Sequence, residues 1–175
     1  MLVYHPIFDM YHCIFRMLCL LENIPNKTCH IDHLRILDFY FLFPSQLNKV
    51  TFPNTALSYR RRLHKYSGPY ESIQDPYKIF HKMESIQLAA INCLASCGLL
   101  SIKALKNDTA ERSSISLPSL LSDTIDKANK DNADLIEFLT VPFYNLDFYG
   151  DRGIKARTGL LEYRYDTNED QYITK

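Results

Sequence analysis

The sequence predicts a mainly α protein with a small β component: a winged-helix-like core with flanking helices and a C-terminal strand or hairpin. Three observations carry this. Two opening segments, Asp9–Glu22 and Ile31–Phe43, are apolar at helical spacing, and prolines follow them at Pro25 and Pro44. A longer segment, Tyr77–Leu105, places Ile79, Met83, Ile86, Ala90, Leu94 and Cys97 at helical spacing, then Gly98 where a helix C-cap glycine belongs. After it, LLSIKAL and SISLP read as two strands around the turn KNDTAERS. Helix, glycine and hairpin in that order form the ending of a winged helix-turn-helix.

Taken in order, Asp9 serves as N-cap of the first helix, and Asp9, His12 and Arg16 share one narrow face of it. Everything else on that helix is apolar, so it is buried nearly all round. In a chain of this size the second buried side is expected to belong to another subunit. The second helix carries Asp32, Arg35 and Asp38 along one side, and Arg35 can pair with either acid. Residues 44–56 are a connector with two prolines. LSYRRRLHKY is a short basic helix, and SGPYESIQDP a loop. On the long helix, Glu84, Gln87 and Asn92 are expected outward, with Lys82 nearby. Residues 118–132 suggest an acidic amphipathic helix, followed by an apolar stretch interrupted by Pro142. LLEYRYD alternates with a period of two and reads as a closing strand. The division is residues 1–118, helical and winged-helix-like, and residues 119–175, a helical and strand extension packed on it as one compact unit.

The chain has 175 residues, with 20 Lys/Arg against 20 Asp/Glu. That length buries a core without staples, and the balance gives no global attraction to nucleic acid. Residues 1–65 carry eight basic against four acidic residues, leaving twelve against sixteen for the rest. This asymmetry fits two unlike partners as well as ordinary surface variation. Five cysteines, an odd number, fit reduced thiols in a cytoplasmic protein. The apolar run from Ile7 to Leu21 is short of the roughly 20 residues a membrane span needs, and Asp9, His12 and Arg16 interrupt it.

Site chemistry is sparse. CHIDH and CLASC lack paired zinc spacing, there is no Gly-x-Ser-x-Gly elbow, and YGDRGIKARTG lacks the phosphate-loop pattern. Cys13 next to His12 lies in an apolar setting that makes a thiol inert. Two groups remain as candidate surfaces. Tyr4, His5, Phe8, His12 and Arg16 form a candidate partner-binding set. Arg60, Arg61, Arg62 and Lys65, with Arg152, Lys155 and Arg157, are candidate contacts for DNA backbone or an acidic partner.

YHPIFDMYHCIFRMLCLLE, HLRILDFYFLFP, MESIQLAAINCLASCGLL and the closing GLLEYRYD span most of the chain. Together they resemble the middle component of ABC three-component, Lamassu-type, defence systems. The resemblance implies a non-enzymatic accessory subunit between an SMC/Rad50-like ATPase and an effector, often a nuclease, in a cytoplasmic complex that senses foreign DNA. It implies no catalytic, cofactor or metal residue in this chain, with ATP and magnesium held by the partner ATPase. DNA would be contacted mainly through the complex. The residues alone leave open a winged-helix DNA-binding regulator or chromosome-condensation accessory protein, and a metal-dependent enzyme.

Overall fold

The computed structural model describes residues 9–53, 57–66 and 73–162, the side chains of Leu57 and Arg60 excepted. Tyr4, His5, Phe8 and the Tyr163–Asp166 part of the closing segment lie outside the described residues, as does most of the SGPYESIQDP loop.

The elements run α1 (Met10–Leu21), β1 (Thr28–His30), α2 (Ile31–Leu42), a 3-10 turn at Pro44–Lys49, α3 (Leu57–Leu63), α4 (Pro76–Ser96), α5 (Ile102–Leu105), β2 (Thr109–Glu111), α6 (Ser119–Asp131), α7 (Ala133–Phe138), a π turn at Leu139–Phe143, and α8 (Ile154–Thr158). The fold is mainly α with a small antiparallel sheet. Polar side chains start the helices by satisfying first-turn N–H groups that have no intrahelical partner. Asp9 accepts from His12 N at 2.8 Å, Asp75 from Lys78 N at 2.9 Å and Ser101 from Ala104 N at 3.3 Å. The cap of α2 is the ring of His30, whose Nδ1 accepts from Asp32 N at 3.2 Å.

The enclosure of α1 differs from expectation. It packs on α2, α4 and α6, all from this chain. Cys13, Met17, Leu18, Cys19, Leu20 and Leu21 are buried among them. The Arg16–Leu21 part of the helix is therefore covered from within this chain, while Ile14 and Phe15 are half-buried and Tyr11 is exposed. One hydrophobic cluster runs from Cys13 to Leu160 and includes Ile125, Phe138 and Phe143 beside Leu37, Phe39 and Tyr40.

The strands also differ. Of LLSIKAL, only Leu100 pairs, as an isolated bridge to Arg112, and Ile102–Leu105 turns into the helix that Ser101 caps. SISLP is not a strand; Ile115 packs over Gly98 instead. The second strand lies in the expected turn, at Thr109–Glu111, pairing with β1 so that Cys29 faces Ala110. Those two residues are 2% and 0% exposed, so burial of this central pair places the strand where its flanking polar residues argued against one. At the closing segment, Leu160–Glu162 form no strand.

On α4 the buried line is Phe80, Met83, Gln87, Ala90, Ile91 and Leu94. Gln87, expected outward, is 0% exposed. Asn92 and Lys82 are exposed, and Glu84 is half-buried. The helix ends as expected. Gly98 takes φ +74° and donates its N–H to Ala95 O at 2.9 Å, while Leu99 N reaches Leu94 O at 2.9 Å. These bonds satisfy carbonyls left over at the helix end.

Candidate functional site

Three helices meet at one carboxylate. Asp38 of α2 is 0% exposed. Arg16 of α1 grips it with two parallel bonds, Nε to Oδ1 at 2.6 Å and Nη2 to Oδ2 at 3.2 Å. Gln87 of α4 donates Nε2 to Asp38 Oδ2 at 2.9 Å and to the Arg35 carbonyl at 3.1 Å. Its Oε1 accepts from Arg35 Nε at 3.2 Å. Arg35 then pairs with Asp32 at 2.6 Å, lies 3.4 Å from Glu84, and sits 5.0 Å over the Phe80 ring. Of the two acids open to Arg35, Asp32 takes it and Asp38 goes to Arg16.

The physics of this network is structural. Burial opposes the charge on Arg16, but Asp38 outweighs it and raises the guanidinium pKa. Burial, with the Asp38 charge behind it, pushes the Cys13 thiol far up, so the Cys13–Asp38 contact at 3.7 Å holds a protonated sulfur. Burial alone pushes Cys19 up to about 12. Thiols of this kind are poor nucleophiles. Gln87 was legible in retrospect, because Met83, Gln87, Ala90/Ile91 and Leu94 keep a three-and-four spacing that puts it on the apolar stripe.

Of the first candidate surface, His12 is exposed and faces Asp9, with Nδ1 3.2 Å from Oδ1, while Arg16 turns inward to Asp38. Of the basic set, Arg62 and Lys65 find acids within this chain. Arg62 lies 3.1 Å from Asp134 and 3.2 Å from Glu137 on α7, and Lys65 lies 2.6 Å from Asp134. Tyr59 donates to Glu137 at 2.8 Å and carries the Arg62 guanidinium 4.4 Å over its ring. The positive stripe thus docks α3 on α7, and Arg61 stays exposed. Arg157 donates to Thr51 O at 2.6 Å and to Arg152 O, Lys155 lies 4.9 Å over the Tyr149 ring, and Arg152 is exposed.

Two clefts stand out. One, of about 770 Å³, lies between the 112–117 loop and α6. Its main cation, Arg112, is consumed by Glu22 at 2.9 Å and by the Leu99, Ser113 and Ile115 carbonyls. The other, of about 640 Å³, opens between the β1–α2 corner and residues 144–149. His33 lines it, 6% exposed, stacked on Tyr144 at 4.9 Å and tilted against Phe148 at 5.3 Å. Burial, with a small contribution from His30, pushes the His33 pKa down to about 3. Among the described residues no three His, Cys, Asp or Glu side chains cluster as metal ligands, and no helix is long and apolar enough to cross a membrane.

The model of one protein family, ABC-three component (ABC-3C) system Middle Component 5, matches residues 2–166. The chain belongs to that family. No curated protein and no solved structure matches it. A middle component acts with the other components of an ABC-3C system, as an accessory part of it. That role suits a chain in which the buried Arg16, Asp38 and Gln87 join its own helices.

Proposed function

We propose that this middle component is a non-enzymatic, cytoplasmic adaptor that links an SMC/Rad50-like ATPase to an effector, often a nuclease, in a Lamassu-type complex that senses invading DNA. ATP and magnesium belong to the ATPase, and DNA is engaged mainly by the assembled complex. The observation that carries this reading is the family match over residues 2–166. The buried network supports it, since Asp38 holds Arg16 and Gln87, and Gln87 in turn holds Arg35, so these groups tie α1, α2 and α4 together.

The order of elements favours a second reading, a winged-helix DNA-binding regulator. A strand follows the first helix, and after the long helix Leu100 and β2 come next, with β2 paired to β1 and Leu100 bridged to Arg112. That order supports a winged-helix layout. The outward face of α4 weighs against base reading, because Ser85, Leu88, Ala89, Asn92 and Ser96 accompany a single cation, Lys82, on its central turns. Co-expression with the neighbouring genes of the system decides between them. The adaptor reading expects co-purification with the ATPase at fixed stoichiometry and weak, non-specific binding of duplex DNA by the chain alone. Tight, strongly salt-dependent DNA binding by the isolated chain, with no recovery of the ATPase, would overturn it.

A further inference from the structure

The cleft beside His33 has the size of a binding pocket. About 640 Å³ lies within the ordinary range for ligand sites, and its lining mixes aromatic rings with a larger number of polar side chains. Its walls include Tyr144, Phe148 and Tyr149, and Asp108 and Asp147 stand among its lining residues. Both aspartates are exposed, and neither forms an ion pair among the described residues. Among the described residues no lysine or arginine lines the cleft, Lys155 standing over the Tyr149 and Phe148 rings of its wall. His33 is buried with Nε2 lacking a hydrogen-bond partner, so the pocket wall holds polar capacity that the fold does not use.

This combination selects a cation. Phosphates and nucleic-acid backbone would meet two carboxylates among the lining residues, of which the Lys155 ammonium at the Tyr149 and Phe148 rings balances at most one. Aromatic faces attract cations through their quadrupole, and this wall already does so, since Lys155 Nζ lies 4.9 Å from the Tyr149 ring centre and 5.8 Å from that of Phe148. Among cations, a guanidinium fits best. It is planar, stacks on aromatic rings, pairs with carboxylates through two N–H groups, and is more weakly hydrated than an ammonium.

We propose that this cleft is the receptor for an arginine side chain presented by a partner polypeptide. The identity of that partner as another ABC-3C component rests on the adaptor reading above; the arginine chemistry does not. The cleft is formed by β1, the start of α2, the turn before β2 and residues 144–149, so an arginine seated there touches both the first and last thirds of the chain.

The test uses the full chain. N-acetyl-arginine amide is titrated while the ring signals of Tyr144 and His33 are followed by NMR. The expected result is a saturable shift of those rings, weakened at least tenfold in Asp108→Asn/Asp147→Asn. N-acetyl-lysine amide should bind more weakly, and inorganic phosphate should leave the rings unmoved. The double variant should keep its Tm, because Asp147 is exposed and asparagine tolerates the positive φ of +52° at residue 108. An arginine titration that leaves both rings unmoved, or moves them equally in the variant, overturns the proposal; so does phosphate acting as strongly. A second arm compares co-purification of wild type and variant with the rest of the system. Equal recovery of both shows that the cleft is not the assembly contact and overturns the receptor role, while the adaptor reading stands. No recovery with wild type, alongside a positive arginine titration, sinks the adaptor reading and leaves the arginine receptor in place.

Discussion

At Asp38, a single carboxylate collects a guanidinium from α1, an amide from α4 and a thiol from α1, all in the dry interior. Such a group is costly only when its partners leave. Removing one side of a buried pair strands the other charge, and typically costs about 3–5 kcal/mol. Arg16→Ala and Asp38→Ala should each destabilise the chain by that order, whereas Lys130→Ala, on the exposed face of α6, should leave Tm unchanged. Urea unfolding of the three variants checks this; Arg16→Ala melting like wild type would remove the network from the fold's essentials. His33 adds a pH dependence. Its folded pKa is about 3 against an ordinary 6.5, so between those values the unfolded chain binds the extra proton. Stability is therefore complete above about pH 6.5 and falls as the medium is acidified, by up to about 1.4 kcal/mol per pH unit. His33→Phe keeps a ring against Tyr144 and should lose that part of the slope. Unfolding curves for both proteins at several pH values between about 7 and 5 give the difference directly.

Among the elements, the end of α4 is the most sharply specified. Gly98 sits at φ +74°, and a Cβ there would come 2.9 Å from Ile115 Cδ1. Gly98→Ala should cost about 1–3 kcal/mol through backbone strain, with Ile115 displaced; unfolding free energies measure it, and a neutral result would mean that the turn relaxes to another cap. The α3–α7 contact is of another kind. Arg62, Lys65, Asp134 and Glu137 are solvent-accessible, so their pairs are weak individually. Changing Arg60, Arg61 and Arg62 together to Ala should barely move the melting temperature, but amide exchange in α3 should accelerate as its hold on α7 loosens. Unchanged α3 exchange would show that Tyr59 and Leu63 hold the helix alone. Helices, caps and the Gly98 stop were legible because period, capping oxygens and glycine act locally. The strands were not, because β2 is set by a partner eighty residues away in the chain, where Ala110 meets Cys29. The Arg16–Asp38 pairing was not legible, since only helix packing could decide which of Asp32 and Asp38 goes to Arg35 and leave the other for Arg16. The cleft beside His33 joins segments more than a hundred residues apart, and no local pattern marks it.

The whole molecule turns on what covers α1. A helix apolar nearly all round needs cover, and over Cys13 and Arg16–Leu21 that cover comes from α2, α4 and α6. The last third contributes more than a lid. Asn129 donates to Cys19 O at 3.4 Å, Tyr144 to Thr28 O at 2.8 Å, and Arg157 to Thr51 O at 2.6 Å. Phe143 meets Tyr40 edge-on at 5.5 Å, and Phe138 meets Phe52 at 5.1 Å. Buried aromatics of this size supply a large part of a core's stability, roughly 3–5 kcal/mol each on truncation to Ala. Two outcomes follow for the chain without its partners. The full-length protein should be monodisperse and melt cooperatively, because its exposed large apolar residues, such as Tyr11, Leu120 and Ile102, lie on separate elements. A chain stopped after Pro118 should lose cooperative folding and aggregate, because it exposes the α6 side of α1 and the aromatic surface of α2 together. Size-exclusion chromatography with light scattering, and thermal melts of both proteins, test the pair. A soluble 1–118 fragment with a sharp melting transition would show that the first two-thirds fold as an independent domain and that the remainder is an appendage.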